Sequence, residues 1–185
     1  MTKFEIISKE QFEKDFAKFP DVKYEELKLP KRATTGSAGY DFYSPIGFKL
    51  KPGATIKIPT GVRILLPRDK FLLMAPRSGL GFKYRLQLDN TIGVIDSDYS
   101  NSDNEGHIWI KMTNASNTDI FCGMFSNGEL LELEAGNAVA QGIILKYETT
   151  DDDDTKGVRN GGFGSTDLQK AKDDKNEQYE NNKAV

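Results

Sequence analysis

The chain has 185 residues, of which 37% are hydrophobic and 29% charged, and its formal net charge is −3. These values are typical of a single globular domain and exclude collagen-like, coiled-coil and wholly disordered chains. No apolar run approaches the roughly 20 residues of a membrane helix, and the N-terminus lacks the apolar segment of a signal peptide. One cysteine and one histidine exclude an internal disulfide and a structural zinc site of Cys and His ligands. We therefore expect a cytoplasmic protein with no membrane partner.

The charge distribution divides the chain into a neutral body and an acidic tail. Residues 151–185 hold nine acidic and six basic residues, so this stretch carries the whole net charge, and residues 1–150 hold 19 of each sign. A nucleic-acid-binding protein would show a basic patch that neutralises phosphates. We therefore expect no nucleic-acid partner.

Residues 8–19 predict an N-terminal helix of about three turns. Ser8 followed by Gln11 fits a capping box. Aromatic residues then repeat at helical spacing on one face, at Phe12, Phe16 and Phe19. A stripe of this kind usually packs on the body of the protein, so we expect this face to be buried.

From about Glu25 to Tyr147 the pattern changes to short apolar runs separated by Gly, Pro, Asn and Asp. Many short strands at close spacing predict a sandwich or barrel of antiparallel sheets. The candidate strands are Phe48–Leu50, Ala54–Ile58, Val62–Leu66, Lys70–Ala75, Gln87–Thr91, Gly106–Met112, Leu130–Leu133 and Ala138–Tyr147.

The composition changes again after Tyr147. Four consecutive aspartates occupy positions 151–154, and a glycine-rich stretch and a polar run follow them. Adjacent like charges repel one another and keep a chain extended. We therefore expect a β-domain over residues 1–150, which includes the helix, and a flexible arm over residues 151–185.

The first segment with candidate chemistry is Pro76–Gly81, which follows an apolar run and so lies at a strand end. Arg77 offers a forked donor for phosphate oxygens, Ser78 offers a hydroxyl, and Gly79 allows backbone N–H groups to approach an anion. The alternative is a strand-to-helix turn with a surface arginine, which this segment alone favours.

The second segment is Gly93–Tyr99, in which an apolar run meets two carboxylates spaced by one residue. If the run is extended, Asp96 and Asp98 project to the same face and could activate water or bind a cation. An Asx-rich turn that closes a hairpin is the alternative.

The third segment combines Arg159 with the glycine-rich run Gly161–Thr166. It lacks the preceding strand of a dinucleotide-binding loop and the Gly-Lys-Ser/Thr ending of a Walker A loop. A strap that folds over an aromatic, phosphorylated ligand and a disordered linker both remain open.

In this order, the segments resemble the five motifs of the homotrimeric dUTP pyrophosphatase (dUTPase) family. Five ordered matches over about residues 27–167 are far more specific than any one of them. The matching stretches are Gly36–Phe42, Pro76–Gly81, Asn90–Tyr99, Gly136–Gln141 and Arg159–Thr166.

The resemblance implies an all-β fold, a distorted jelly-roll β-barrel, whose homotrimer hydrolyses dUTP to dUMP and pyrophosphate at sites shared between subunits. Asp96 matches the general base that activates the attacking water. Tyr99 matches the ring under the deoxyribose, and Asn90 the side chain that reads uracil together with backbone groups. The family's Mg²⁺ is carried by the triphosphate and its waters, so no protein ligand for it is expected.

The resemblance also implies substrate contacts from the other motifs. Asp41 matches a carboxylate that supports the phosphate contacts, Arg159 a ligand of the γ-phosphate, and Phe163 a ring that stacks on uracil. The remaining positions that match substrate contacts are Arg77, Ser78, Gly79, Gly93, Gln141, Gly164 and Ser165.

The chain departs from the family pattern in ways that leave alternatives open. Ala138 stands where the fourth motif usually carries an arginine, and residues 101–105 and 117–130 look like insertions. The insertions could recruit a regulatory protein partner, and they are of a kind found in phage members. The alternatives to dUTP hydrolysis are a nucleotide-dependent protein-binding module and a relative of dCTP deaminase, which shares the fold.

Overall fold

The computed structural model describes residues 1–116, 120–121, 135–157 and 159. Twelve strands and two short α-helices occur in this part of the chain. The helices are α1 (Lys9–Asp15) and α2 (Ser78–Tyr84), and single 3-10 turns cover Tyr24–Glu26 and Tyr99–Asn101. The strands are β1 (Lys3–Ile6), β2 (Lys31–Arg32), β3 (Tyr40–Tyr43), β4 (Lys49–Leu50), β5 (Thr55–Pro59), β6 (Val62–Leu65), β7 (Lys70–Pro76), β8 (Leu86–Leu88), β9 (Gly93–Ile95), β10 (Trp109–Asn114), β11 (Ile120–Phe121) and β12 (Ala138–Lys146).

The strands form one five-stranded sheet, one three-stranded sheet and two ribbons. The larger sheet has the order β2-β3-β12-β7-β9, and the smaller has the order β5-β10-β8. The ribbons pair β1 with β6 and β4 with β11, and each pairing in the described part of the chain is antiparallel. The predicted all-β class is confirmed, and within the described ranges the sheets pack without closing into a continuous barrel.

The core lies between the two sheets. Phe42, Ile58, Leu72 and Met112 are fully buried in it. On β12, a Cβ atom at Gly142 would lie 2.8 Å from the Phe42 ring and 2.9 Å from a Leu72 methyl group. This glycine therefore lets β3 and β7 pack closely on either side of β12.

The N-terminal helix is shorter than predicted, and half of its predicted capping box is wrong. The Ser8 hydroxyl accepts the Gln11 N–H at 3.1 Å, as predicted. The Gln11 side chain does not return to Ser8 but donates to Asp15 at 2.8 Å, and the Ser8 N–H binds Glu105 instead. The aromatic face packs on the body as expected, since Phe16 is buried.

Seven of the eight predicted strands overlap observed strands, and Leu130–Leu133 lies outside the described residues. The strand predicted from Gly106 starts at Trp109, because Gly106 occupies a turn with φ of +75°. Strands β1, β2, β3, β9 and β11 are not among the predicted strands. The division into a domain and an arm at residue 150 stays a prediction, because most of the arm lies outside the described residues.

Candidate active site

Strands β3, β12 and β7 lie side by side and place polar residues of three motifs together. In this sheet Asp41 pairs with Gln141, and Ala140 pairs with Pro76. The Arg77 guanidinium, just beyond β7, lies 3.0 Å from Asp41 Oδ1 through Nε. We call Asp41, Arg77, Ser78, Gly79 and Gln141 the Arg77 cluster.

Hydrogen bonds to the backbone fix the Arg77 cluster further. Arg77 Nη1 donates to the Ala138 carbonyl at 3.3 Å, and Gln141 Nε2 donates to the Pro76 carbonyl at 3.0 Å. Ser78 and Gly79 begin α2, where first-turn N–H groups have no intrahelical acceptor. A Cβ atom at Gly39 would lie 2.6 Å from Gln141 Oε1, so a larger residue there would displace the Gln141 amide from this position. The cluster thus offers a forked cation, a hydroxyl and backbone donors, a set suited to phosphate oxygens.

A second group of polar residues surrounds the end of β9. The Arg159 guanidinium donates through Nη2 to Asp96 Oδ2 and through Nε to Asp98 Oδ1, the latter at 3.0 Å. The two carboxylates thus face the same side as expected, although Asp98 lies in a turn and not in an extended strand. We call Asp96, Asp98, Tyr99 and Arg159 the Asp96 cluster.

The Asp96 cluster opens into a cleft of about 1230 Å³. Phe71 and Val94 line this cleft together with the segment that follows β12, which contributes Tyr147 and Asp153. The Asp96 side chain is 48% exposed, so solvent reaches its carboxylate.

Tyr99 is a buried member of the Asp96 cluster. Its side chain is enclosed, and the Arg159 guanidinium carbon lies 5.7 Å from the ring centroid. The hydroxyl donates to the His107 carbonyl at 3.2 Å and accepts from Asn104 Nδ2 at 3.2 Å. Burial raises the pKa of the Tyr99 phenol above its ordinary value, so the hydroxyl stays protonated and remains a donor.

Asn90 and Gly93 lie together at the turn between β8 and β9. The Asn90 Nδ2 atom would be 3.7 Å from a Cβ at Gly93, and Thr91 between them adopts a φ of +62°. This turn does not close a paired hairpin, because β8 pairs with β10 and β9 pairs with β7. It connects the two sheets and presents backbone groups beside the Asn90 amide.

One chain does not bring the Arg77 cluster and Asp96 together. Leu72 on β7 pairs with Ile95, the residue before Asp96, whereas Arg77 follows five residues further along the same strand direction. At about 3.3 Å per residue, the two clusters are separated by roughly 17 Å of β7. Within a single chain they therefore form two half-sites.

Several residues relevant to this site were not predicted or lie outside the described residues. Phe163, Gly164 and Ser165 lie outside them, as does most of the 117–130 insertion. Asp98 was a candidate from its spacing, but the family resemblance gave it no role; here it holds Arg159. No local sequence pattern indicates the contact between the Tyr99 hydroxyl and the buried His107.

The described residues do not form a cage for a metal ion. Among them, no three His, Cys, Asp or Glu side chains lie close enough to share one. In the Asp96 cluster both carboxylates contact the Arg159 guanidinium, which a metal would have to displace. In the same part of the chain, no helix is long and apolar enough to cross a membrane.

The family model described as dUTPase matches residues 25–167, more than half of the chain. The chain belongs to the dUTPase family. This dUTPase is 38% identical over 143 residues to the deoxyuridine 5′-triphosphate nucleotidohydrolase of Lactococcus lactis subsp. lactis, across 76% of this chain and 88% of that relative. It is 37% identical over 152 residues to the enzyme of the same name from Dictyoglomus turgidum, across 77% and 92%.

Solved structures agree with this assignment. The dUTPase from Streptococcus mutans is 33% identical and superposes with a TM-score of 0.59, across 80% of this chain and 98% of that one. A mutant dUTPase from phage phi11 of S. aureus, described with a structural Mg(II) ion, is 24% identical, with a TM-score of 0.58 and coverage of 85% and 97%. The second comparison supports the fold alone. Together with the relatives' names, the first favours a dUTPase over a dCTP deaminase.

Proposed function

We propose that this dUTPase hydrolyses dUTP to dUMP and pyrophosphate, with Asp96 as the general base. The observation that carries the proposal is the half-exposed Asp96 carboxylate at the mouth of the cleft, in a chain whose motifs match the dUTPase family in order. The reaction would limit the incorporation of uracil into DNA and supply dUMP for dTMP synthesis. A cytoplasmic location would suit this substrate.

The reaction needs one proton acceptor and several donors to phosphate. Asp96 takes a proton from a water molecule while the water oxygen bonds to the α-phosphorus. The bond from the α-phosphorus to the bridging oxygen breaks, and pyrophosphate leaves with the electron pair. Because this transfer depends on positioning and charge neutralisation more than on a strong nucleophile, one carboxylate and the Arg77 cluster provide a sufficient set of groups.

Mg²⁺ would enter as part of the substrate complex. It prefers phosphate oxygens and waters together with few protein ligands, and the Asp96 and Asp98 carboxylates are already paired with Arg159. The ion supplies neutralisation of the phosphate charge. Arg77, Ser78 and the N–H of Gly79 then contact the phosphate oxygens that remain free.

Complete sites require more than one chain, which supports a homotrimer with shared sites. The Arg77 cluster and the Asp96 cluster lie at opposite ends of β7, so one subunit would supply the phosphate donors and its neighbour the base. In a closed ring of identical subunits the same interface repeats, so one composite site can form at each interface. The arm would add its residues after position 159 to a site of this kind.

Base and sugar selectivity would come from Asn90, Tyr99 and the arm. The Asn90 amide and the backbone around Gly93 would hydrogen-bond uracil, and cytosine would leave these groups unpaired. The Tyr99 ring would leave no room for a 2′-hydroxyl. Phe163 would stack on uracil, and Gly164 and Ser165 would complete the closed arm. A regulatory protein partner for the insertions stays a prediction.

A nucleotide panel tests this function. Pyrophosphate release is measured with dUTP, UTP, dCTP and dTTP in the presence of Mg²⁺, for the wild type and Asp96→Asn. We expect turnover of dUTP only, and a loss of about 10²–10⁴-fold in kcat for the variant, with dUTP binding retained. Equal turnover of the four nucleotides, or an active Asp96→Asn protein, would contradict the proposal.

A further inference from the structure

We propose that α1 and the buried His107 are a brace that positions Tyr99 and so sets the preference for dUTP over UTP. The inference rests on the proposed function, in which Tyr99 faces the sugar. Asp15 and His107 would act through Tyr99 and would not touch the substrate, so both are positioning residues.

The hydroxyl of Tyr99 is bound to the backbone of residue 107. It donates to the carbonyl of His107 at 3.2 Å, and Asn104 Nδ2 donates to both the hydroxyl and that carbonyl, each at 3.2 Å. The position of the phenol ring therefore depends on where the backbone of residue 107 lies.

The imidazole of His107 is fully buried. Its Nε2 atom accepts the Gly61 N–H at 2.8 Å, so Nε2 carries no proton and the proton of the neutral ring is on Nδ1. Nδ1 donates to Asp15 Oδ2 at 2.5 Å. With both nitrogens bound, the ring has one tautomer and one orientation, and it fixes residue 107 between β6 and α1.

Asp15 is the last residue of α1. Gln11 Nε2 donates to the same Oδ2 atom of Asp15 at 2.8 Å and orients the carboxylate. The Phe16 ring lies over His107, with 6.0 Å between ring centroids and an angle of 19°. The C-terminal end of α1 is thereby fastened to the residue that holds Tyr99.

The N-terminal end of α1 is bound to Glu105. The N–H and hydroxyl of Ser8 donate to the two oxygens of Glu105, at 3.0 and 2.5 Å. Burial would raise the pKa of Glu105, but the two hydrogen bonds from Ser8 outweigh it and hold the pKa below its ordinary value. The helix thus contacts residues 105 and 107 from both of its ends, which ties the whole segment that holds Tyr99 to α1.

The experiment compares kcat/KM for dUTP with kcat/KM for UTP in Asp15→Ala, Asp15→Asn and Glu13→Ala. Asparagine keeps an oxygen that can accept from both His107 and Gln11, whereas alanine does not. Glu13 is exposed on the same helix and is the matched control. We expect Asp15→Ala to lower the dUTP-to-UTP ratio about tenfold. Asp15→Asn and Glu13→Ala should stay within about twofold of the wild type.

A double-mutant cycle separates positioning from general destabilisation. Tyr99→Phe keeps the ring and removes the hydroxyl bond to residue 107, so it should also lower the ratio. If Asp15 acts through this hydroxyl, the double variant should match Tyr99→Phe alone, whereas multiplied effects would overturn the inference. All variants are assayed well below their melting temperatures. If Asp15→Ala does not fold, Gln11→Ala takes its place, with a smaller loss in the same direction expected.

The outcomes distinguish this inference from the proposed function. A wild type that fails to hydrolyse dUTP, or hydrolyses UTP equally well, would overturn the proposed function. A selective wild type whose ratio is unchanged in folded Asp15→Ala, or in its Gln11→Ala substitute, would overturn the brace alone.

Discussion

A single guanidinium joins the two carboxylates of the Asp96 cluster. Arg159 binds Asp96 through Nη2 and Asp98 through Nε. Because Arg159 Nη2 occupies Asp96 Oδ2, the guanidinium has to leave this oxygen before a water molecule can hydrogen-bond to it. A triphosphate competes for the same forked donor. We therefore expect Arg159 to move from the carboxylates to the phosphates when substrate binds.

Substitution of Arg159 tests this transfer. Arg159→Ala frees Asp96 but removes a phosphate contact, and we expect the second effect to win, with kcat/KM for dUTP about 10²–10³-fold lower. Arg159→Lys keeps the charge without the forked donor, so its kcat/KM should lie between the values of the wild type and Arg159→Ala. Initial rates of pyrophosphate release measure both, with Lys146→Ala as an exposed control for the loss of one positive charge. Faster hydrolysis by Arg159→Ala would mean that the guanidinium only blocks the base.

The sequence predicts single residues well where their partners are close along the chain. The one-residue spacing of Asp96 and Asp98 predicts that both carboxylates face one side, and they do, although a turn and not the expected extended strand places them there. The contact between His107 and Asp15 joins residues 92 positions apart, and no local pattern announces it. Such a pair becomes visible only when α1 is packed against the turn before β10.

Strand β12 packs closely against both of its neighbours at Gly142, and this glycine gives a sharp test. Gly142→Ala places a methyl group within 3 Å of Phe42 and Leu72, so we expect the free energy of unfolding to fall by about 1–3 kcal/mol. Gly36→Ala is the matched control, since a methyl group at that position would have no atom within 4 Å of it. Urea unfolding of both variants measures the difference. Equal stability of the two would show that β12 can shift to accept the methyl group.

The buried His107, which contacts α1, makes the stability of the folded protein sensitive to acid. Burial lowers the pKa of His107 below its ordinary value of 6.5, and Lys57 lowers it further, while Asp15 and Glu105 oppose the shift. The unfolded chain therefore binds a proton more readily than the folded chain. Stability should fall as the pH drops below about 6.5, because the unfolded state gains the proton first.

Melting temperatures between pH 5 and 8 check this dependence. The chain has one histidine, so His107→Gln should flatten the decline between pH 6.5 and 5, even if it lowers stability at every pH. The hydrogen-bonded Glu105, whose pKa lies below its ordinary value of 4.5, contributes stability that is lost only as the pH falls below about 4.5. An unaltered slope in His107→Gln would assign the acid sensitivity to other groups.

The two longest strands were predictable because their apolar runs are long enough to show a period. Strands β7 and β12 have seven and nine residues and were both found. Strands β2 and β9 have two and three residues, too few to show an alternation. Helix α2 contains Gly79 and Gly81, which weaken its local propensity, and it forms because Leu80 is buried against the core.

The arrangement of strands in the sheet explains why motifs that follow one another along the chain lie apart in space. Motifs of the Arg77 cluster meet because β3, β7 and β12 are neighbours in one sheet. Asp96 lies at the other end of β7, about 17 Å away along the strand. The order of the motifs predicted the family, but it could not reveal which of them one chain brings together.

Complementation between two inactive variants tests whether a site is shared. Arg77→Ala and Asp96→Asn chains are co-expressed in equal amounts with different tags, and mixed oligomers are purified through both tags. If Arg77 and Asp96 of one site come from different chains, about a third of the sites in the purified mixed trimers hold both intact residues. Pyrophosphate release should then recover to a similar fraction of the wild-type rate, whereas either variant alone stays inactive. Light scattering confirms that the variants assemble like the wild type. If both residues served the same site from one chain, every site would lack one of them and the mixture would stay inactive.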